Sequence, residues 1–353
     1  MKVSTLNGIE ARTVETGRLR TRVLLSGAEG GIPVLFLHGN LASATWWEET
    51  MLRLPPGYWG IAPDQRGYGE ADPEKKIDAT RGMGDLADDA ISLLDVLGAG
   101  RAHVVGSSLG GNVVWHLLAR YPERLLSAVV VAPGSPYGFG GTKDIEGTPC
   151  FPDYAGSGAG LVNPELVRRL AAGDRTMDSP FSPRAALRTL VFGAGFVPPR
   201  EEDLLSATLS VHLGEKDYPG DFVPSPHWPF VAPGVWGPNN GLSPKYVVPV
   251  PKLLGAQPKV DVLWIRGGKD LAVSDAAASD PGNLGRMGLI PGWPGAEVYP
   301  PQPMVGQTRA VLQRYAEGGG RYEEVLLPDS GHVPFLDDPA GFDRVFHAHL
   351  ART

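Results

Sequence analysis

The sequence predicts an α/β protein: a mostly parallel sheet covered by helices on both faces and interrupted once by a long insertion. Three observations carry this expectation. Short apolar runs bounded by Gly, Pro or Asp alternate with segments whose apolar residues recur at helical spacing. That rhythm stops after Gly134 and resumes near Val260. Finally, Gly106-Ser107-Ser108-Leu109-Gly110 forms a G-x-S-x-G pattern between one such run and one such helix. A tight strand-to-helix turn there needs small neighbours and lifts Ser108 clear of the fold. With 353 residues the chain has room for one large domain or two modest ones.

The elements follow in order. Ile9 to Gly17 and Leu19 to Ser26 read as antiparallel strands that turn at Thr16-Gly17. Pro33 to Leu37 ends in His38-Gly39-Asn40, and Trp59 to Ala62 ends at Pro63-Asp64. Their short length and the breakers after them favour buried strands. Leu86, Ala90, Leu93 and Leu97 recur at helical spacing until Gly98 stops them. Arg101 to Val105 reads as a buried strand, Asn112 to Tyr121 as a helix, and Leu126 to Ala132 as a β-branched strand closed by Pro133-Gly134.

In the next stretch Pro164 to Leu170, Pro183 to Phe192 and Glu201 to His212 read as short helices. Asp217 to Gly241, rich in Pro, Gly and aromatics, reads as loop. Residues 134–258 are therefore expected to form an inserted, mainly helical cap between core segments 1–133 and 259–353. The sheet rhythm returns with Val260 to Ile265, which leads into Arg266-Gly267-Gly268-Lys269-Asp270. Residues 277–304, dominated by Pro and Gly, read as a long irregular loop that forms a pocket wall or a subunit contact. Gln307 to Tyr315 reads as a helix, and Tyr322 to Leu327 as the last strand, leading to Ser330-Gly331-His332. Pro339 to Leu350 closes the chain as an amphipathic helix with Phe342, Val345, Phe346 and Leu350 as its apolar stripe.

Composition narrows the partners. The formal net charge is −7 and no Lys/Arg run stands out, so nucleic acid and anionic membranes are poor partners. Cys150 is the only cysteine, which rules out an internal disulfide, and no ligand cluster has zinc spacing. Met1 to Gly8 lacks the apolar core of a secretory leader. No apolar run approaches the roughly 20 residues that span a bilayer. A cytoplasmic protein acting on a small molecule is expected, with a homo-oligomer left open. No G-x-G-x-x-G stands at dinucleotide spacing and no P-loop is present, so no cofactor or metal is expected.

In open α/β sheets, ligands and catalytic groups gather at the carboxyl ends of the strands. Here those ends carry His38-Gly39-Asn40, Asp64, Ser108, Asp270 and His332. The order Ser, Asp, His together with the G-x-S-x-G turn resembles the α/β-hydrolase superfamily. His-Gly-x after the third strand, Asp64-Gln65-Arg66-Gly67-Tyr68-Gly69 after the fourth and Ser330-Gly331-His332 near the end resemble it too. The resemblance spans the core segments on both sides of the insertion and implies an eight-stranded, mostly parallel sheet. It implies Ser108 as nucleophile, His332 as its base and Asp270 as the acid that orients the imidazole. The backbone N–H groups of Asn40 and Leu109 would form the oxyanion hole. Asp275 and Asp261 are rivals for the acid, although Asp261 stands at the wrong end of its strand. Of the histidines, only His332 sits on a glycine-marked loop after the last strand. Asp64 to Gly69 reads as scaffold in which Asp64 and Arg66 brace neighbouring loops.

The segment from His38 through Trp46-Trp47 is similar to that of haloalkane dehalogenases, and the Asp-x-Arg-Gly-x-Gly run to that of epoxide hydrolases. Both families attack alkyl carbon with an aspartate. Ser108 stands at that position here, and an alkyl ether on serine would be a dead end. Serine suits carbonyl carbon. The expectation is a serine hydrolase with a Ser-His-Asp triad and an acyl-enzyme intermediate, cleaving a small or medium apolar carboxylic ester or lactone. Trp46, Trp47, Phe222 and Trp228 are the expected substrate contacts, with Leu109 beside them. The alternatives are a carbon–carbon bond hydrolase of vinylogous diketones using the same three residues, and a non-catalytic small-molecule binder on the same scaffold.

Overall fold

The computed structural model describes residues 4–353; the first three residues of the segment read for a leader lie outside them. Eight strands form the main sheet: β1 (Glu10–Glu15), β2 (Arg20–Gly27), β3 (Ile32–Leu37), β4 (Tyr58–Pro63), β5 (Ala102–Ser107), β6 (Leu125–Val131), β7 (Val262–Gly267) and β8 (Tyr322–Leu327). Their order is β1-β2-β4-β3-β5-β6-β7-β8. β1 and β2 pair antiparallel, as do β2 and β4, and the remaining neighbours are parallel. The mostly parallel eight-stranded sheet implied by the sequence is the one observed.

The central strands show why their runs are continuously apolar. Side chains alternate across a strand, and both faces of this sheet are covered. Leu35 and Leu37 of β3 pack with Val104, Val130 and Trp264 on one face. That face is covered by α1 (Gly84–Val96), α2 (Leu109–Arg120) and α3 (Met304–Glu317), which contribute Leu86, Val113 and Val311. Val34 and Phe36 point to the other face and meet Val105, Val129 and Ile265 beneath Phe342 and Phe346 of α4 (Pro339–Arg352).

Between β6 and β7 the chain leaves the sheet. The short helices Pro164–Ala171, Pro183–Ala186 and Glu201–Leu209 lie in this insertion, with a π turn over Leu187–Val191. The stretch read as loop holds two small ribbons, Leu213–Gly214 with Tyr218–Pro219 and Phe222–Pro224 with Val231–Pro233. Pro219, Pro224 and Pro233 end three of these strands, and a residue without an N–H cannot extend the ladder. Strands this short leave no alternation in the sequence to read.

The 277–304 segment is more ordered than expected. Asp280 caps a helix over Pro281–Arg286 by accepting the Asn283 N–H at 2.9 Å. Pro281 takes the first helical position, where its missing N–H costs nothing. The segment packs on the insertion of the same chain: the Tyr299 hydroxyl donates to Gly156 O at 2.8 Å, and the Trp228 indole donates to Pro291 O at 2.9 Å. A buried polar network completes the buttress. Gln302 accepts the Gly140 N–H at 2.7 Å and donates to Gly138 O at 3.0 Å and to Gln307 Oε1 at 2.8 Å. Gln307 donates to Thr142 Oγ1 at 2.9 Å, and Ser135 Oγ donates to Gln307 Oε1 at 2.7 Å. Among the described residues, no helix is long and apolar enough to cross a membrane.

Gln302→Ala leaves the Gly140 N–H and the Gly138 carbonyl without their partner inside the protein. A loss of about 2–4 kcal/mol is expected in a denaturant titration, with new proteolytic cleavage confined to the start of the insertion.

Candidate functional site

β5 runs directly into the turn at Ser108, whose backbone lies in the left-handed region (φ 54°, ψ −119°). For a residue with a Cβ such a conformation costs on the order of 1–3 kcal/mol unless its surroundings hold it. The Ser108 N–H donates to Val131 O at 2.9 Å, and its carbonyl accepts the Gly111 N–H at 2.9 Å. The flanking glycines are required by close approach. A Cβ on Gly106 would lie 2.2 Å from Gly110 O, and one on Gly110 would lie 2.2 Å from Leu37 O. Ser108 is half-buried while Ser107 is buried, so the motif presents the residue its register implies.

The same packing sets the loop after β3 against the serine: a Cβ on Gly39 would lie 3.1 Å from Ser108 Cβ. Among the described residues, neither the Asn40 N–H nor the Leu109 N–H has a protein acceptor. Leu109 opens α2, where the helix leaves its first donors free and its dipole favours negative charge. His38 braces this loop from beneath. Its Nε2 accepts the Gln65 N–H at 3.0 Å, and since a backbone amide only donates, the proton sits on Nδ1, which donates to Gly39 O at 2.8 Å. Burial drives its pKa down to about 4, so it is a neutral strut.

β7 and β8 deliver the other two groups. Asp270 Oδ1 accepts the N–H groups of Ala272 at 2.8 Å and Val273 at 2.9 Å. Its Oδ2 accepts His332 Nδ1–H at 2.9 Å, which leaves Nε2 uncommitted. Both side chains are buried. Burial alone would lower the His332 pKa, but the charge and hydrogen bond of Asp270 outweigh it and the net direction is upward. Asp337 adds to this. Its carboxylate accepts the Gly331 N–H at 2.7 Å and the Gly193 N–H at 3.0 Å, tying the histidine loop to the insertion, and its charge also favours the imidazolium. The His332 N–H itself donates to Val191 O of the insertion at 2.8 Å.

The structure thus joins Asp270 to His332, and sets the Asn40 loop and the Leu109 N–H beside Ser108. Among the described residues, no hydrogen bond links Ser108 Oγ to His332. The rival acids are occupied elsewhere. Asp275 accepts the N–H groups of Val305 at 2.7 Å and Gly306 at 3.2 Å, and Asp261 faces Arg321 at 3.8 Å before the start of β7. Asp64 accepts the N–H groups of Ala44 and Glu70 at 2.9 Å each, and Arg66 clasps Asp89 at 2.7 and 2.8 Å. The braces expected of that motif are present.

The aromatic side chains fall differently from expectation. Trp47 is fully buried and stacks on Phe335 with ring centroids 4.2 Å apart, beside Phe36 at 5.2 Å. It is a core residue with no surface to offer a substrate, because the second face of the sheet needs a large apolar cover there. Trp46 is buried and stacks on Phe192 of the insertion at 5.9 Å. Trp228 is buried against Tyr299 at 4.9 Å, and Phe222 is 56 % exposed on its ribbon. Asp337 went unread in the sequence. Its neighbour Asp338 carries the visible signal, a cap before Pro339 that accepts the Gly341 N–H at 3.0 Å, whereas Asp337 turns back to Gly331.

A family model described as the alpha/beta hydrolase fold matches residues 32–153. The chain is 34 % identical over 127 residues to the AB hydrolase superfamily protein YfhM of Bacillus subtilis, covering 36 % of this chain and 44 % of that one. It is 35 % identical over 122 residues to epoxide hydrolase A of Mycobacterium tuberculosis, covering 34 % and 38 %. The match thus spans less than half the length of these curated relatives. Carboxylesterase CesB from Bacillus subtilis shares the fold with a TM-score of 0.54 at 19 % identity, over 98 % of this chain and 92 % of that one.

The electrostatics can be read directly. By NMR titration His332 should titrate above the ordinary imidazole value of 6.5. Asp270→Asn should lower it, since burial is then opposed only by the charge of Asp337, and Asp337→Asn should lower it by less. By linkage, the stability that this pair contributes is full below the unfolded imidazole value and is lost as pH rises through the folded one.

Proposed function

The chain belongs to the α/β-hydrolase superfamily, and from that premise we propose that it is a serine hydrolase cleaving a small or medium apolar carboxylic ester or lactone through an acyl-enzyme. The observation that carries the reading is the Asp270–His332 pair at 2.9 Å with Nε2 free, at the end of the sheet where a strained, half-buried serine stands beside two unpaired N–H groups.

Ser108 Oγ attacks the acyl carbon while His332 Nε2 takes its proton, and Asp270 stabilises the imidazolium that forms. The oxyanion receives the N–H groups of Asn40 and Leu109, each worth about 3 kcal/mol of transition-state stabilisation. His332 then hands the proton to the departing alcohol, and water repeats the sequence on the acyl-serine. A serine–histidine contact that is loose without substrate and tightens on binding is common in such sites. On this reading residues 134–258 act as the cap over the site and the protein works in the cytoplasm.

The epoxide chemistry named for one relative is not carried over, since the turn holds Ser108 and serine suits carbonyl carbon. The test is a panel of p-nitrophenyl esters and lactones with mass-spectrometric capture of an acyl adduct on Ser108. Ser108→Ala should keep the circular dichroism of the parent, abolish fluorophosphonate labelling and lower kcat by roughly 10⁴- to 10⁶-fold. A panel without turnover sinks the ester reading. Turnover of a vinylogous diketone in its place would assign the same residues to carbon–carbon cleavage, and tight ligand binding with a silent probe would make the protein a binder.

A further inference from the structure

The side chain of Asn40 is held from two sides. Its Oδ1 accepts the Leu41 N–H at 3.1 Å. A backbone N–H can only donate, so this atom is the oxygen and the other amide atom is the NH2. The Tyr68 hydroxyl, 2.7 Å from the same oxygen, is therefore a donor, and the Asn40 NH2 donates to Asn239 Oδ1 at 3.1 Å. One contact comes from the core and the other from the insertion.

Both supports are firm. Tyr68 is fully buried with its ring edge-on to His38 at 5.1 Å, and burial pushes its hydroxyl well above the ordinary phenol range, so it remains a donor. Asn239 stands on a single helical turn, Pro238–Gly241, fixed by its neighbour Asn240. Asn240 donates to Asp221 O and to Trp236 O at 2.7 Å each and accepts the Ala159 N–H at 3.0 Å. The Gly237 N–H, just before the turn, donates to Ile77 O of the core at 3.0 Å. The clamped loop needs such support, because Leu41 holds a left-handed backbone (φ 52°) immediately after Asn40.

From this geometry we infer that Asn239 is a positioning residue: with Tyr68 it clamps the Asn40 carboxamide between insertion and core, so that the Asn40 N–H is aimed beside Ser108 before a substrate arrives. The inference rests on the serine-hydrolase reading for its catalytic consequence and on the hydrogen bonds alone for the clamp. A group that stabilises a transition state must be held to a fraction of an ångström. Two side chains from elements far apart in sequence, fixed on one amide, do that for a loop with no regular structure.

The test uses the full chain with Asn239→Ala, Tyr68→Phe and the double variant, read in two ways. Hydrogen exchange by mass spectrometry over residues 37–44 reports the clamp, and the rate of fluorophosphonate labelling of Ser108 reports its consequence. Each single variant should speed exchange in that segment several-fold and slow labelling on the order of ten- to a hundredfold. The double variant should add little, since both contacts act through one side chain. Asn239→Asp, which keeps the acceptor for Asn40, should restore slow exchange. Unchanged exchange in Asn239→Ala overturns the clamp. Faster exchange with unchanged labelling, or fully additive losses, overturns the positioning role. A parent protein that does not label overturns the hydrolase reading, and exchange alone then decides the clamp.

Discussion

The site depends on a shortage of space around one turn. Backbone oxygens of Gly110 and Leu37 stand where Cβ atoms at Gly106 and Gly110 would have to go. The end of β3, the end of β5 and the start of α2 can therefore approach only as bare backbone. Once they do, three consequences follow together. Ser108 is forced into a left-handed conformation that raises its side chain. The helix begins at Leu109 with its first N–H unpaired. The loop after β3 is pressed against the serine, bringing Asn40 with it. The raised Ser108 side chain and the Leu109 and Asn40 N–H groups beside it are thus products of one packing event.

Two histidines show how the surroundings decide charge. His38 and His332 are both buried, and burial alone favours the neutral ring in each. His38 meets a backbone N–H on one nitrogen and a carbonyl on the other, a pairing only a neutral imidazole can make, and its pKa falls to about 4. His332 meets a carboxylate, with a second carboxylate near, and moves the opposite way. One ring is fixed as a strut and the other can take and release a proton.

The core was legible because its signals are local. A short apolar run closed by Gly, Pro or Asp reports a strand buried on both faces, and the expected Trp59 to Ala62 lies inside the buried strand Tyr58–Pro63. The order Ser108, Asp270, His332 was legible because each follows such a run. What stayed hidden is held by distant partners. Asn40 and Asn239 stand 199 residues apart, and no spacing rule connects them. Asp337 looks like one of two carboxylates before a proline, and only the fold shows which of them caps the helix. Trp47 misled for a related reason: a tryptophan after a site motif suits a pocket and a core equally, and the stack on Phe335 decides it.

The insertion touches both halves of the site through backbone or amide hydrogen bonds. Val191 O receives the His332 N–H, the Gly193 N–H meets the carboxylate that also holds Gly331, and Asn239 holds Asn40. Its own position is set by the segment between Asp270 and His332, through Tyr299, Gln302 and the contacts of Trp228. The residues that connect Asp270 to His332 therefore support the insertion that holds His332 and Asn40. A lid tied only at its two chain ends could change shape to suit a new ligand without disturbing the chemistry beneath it. This insertion is tied more closely: a displacement of Val191, Gly193 or Asn239 would pull on His332, on the Gly331 loop or on Asn40. In the proposed reaction, selectivity for the ligand and alignment of the reacting groups would be linked by the same few hydrogen bonds, and side chains on the exposed ribbon, such as Phe222, take no part in them.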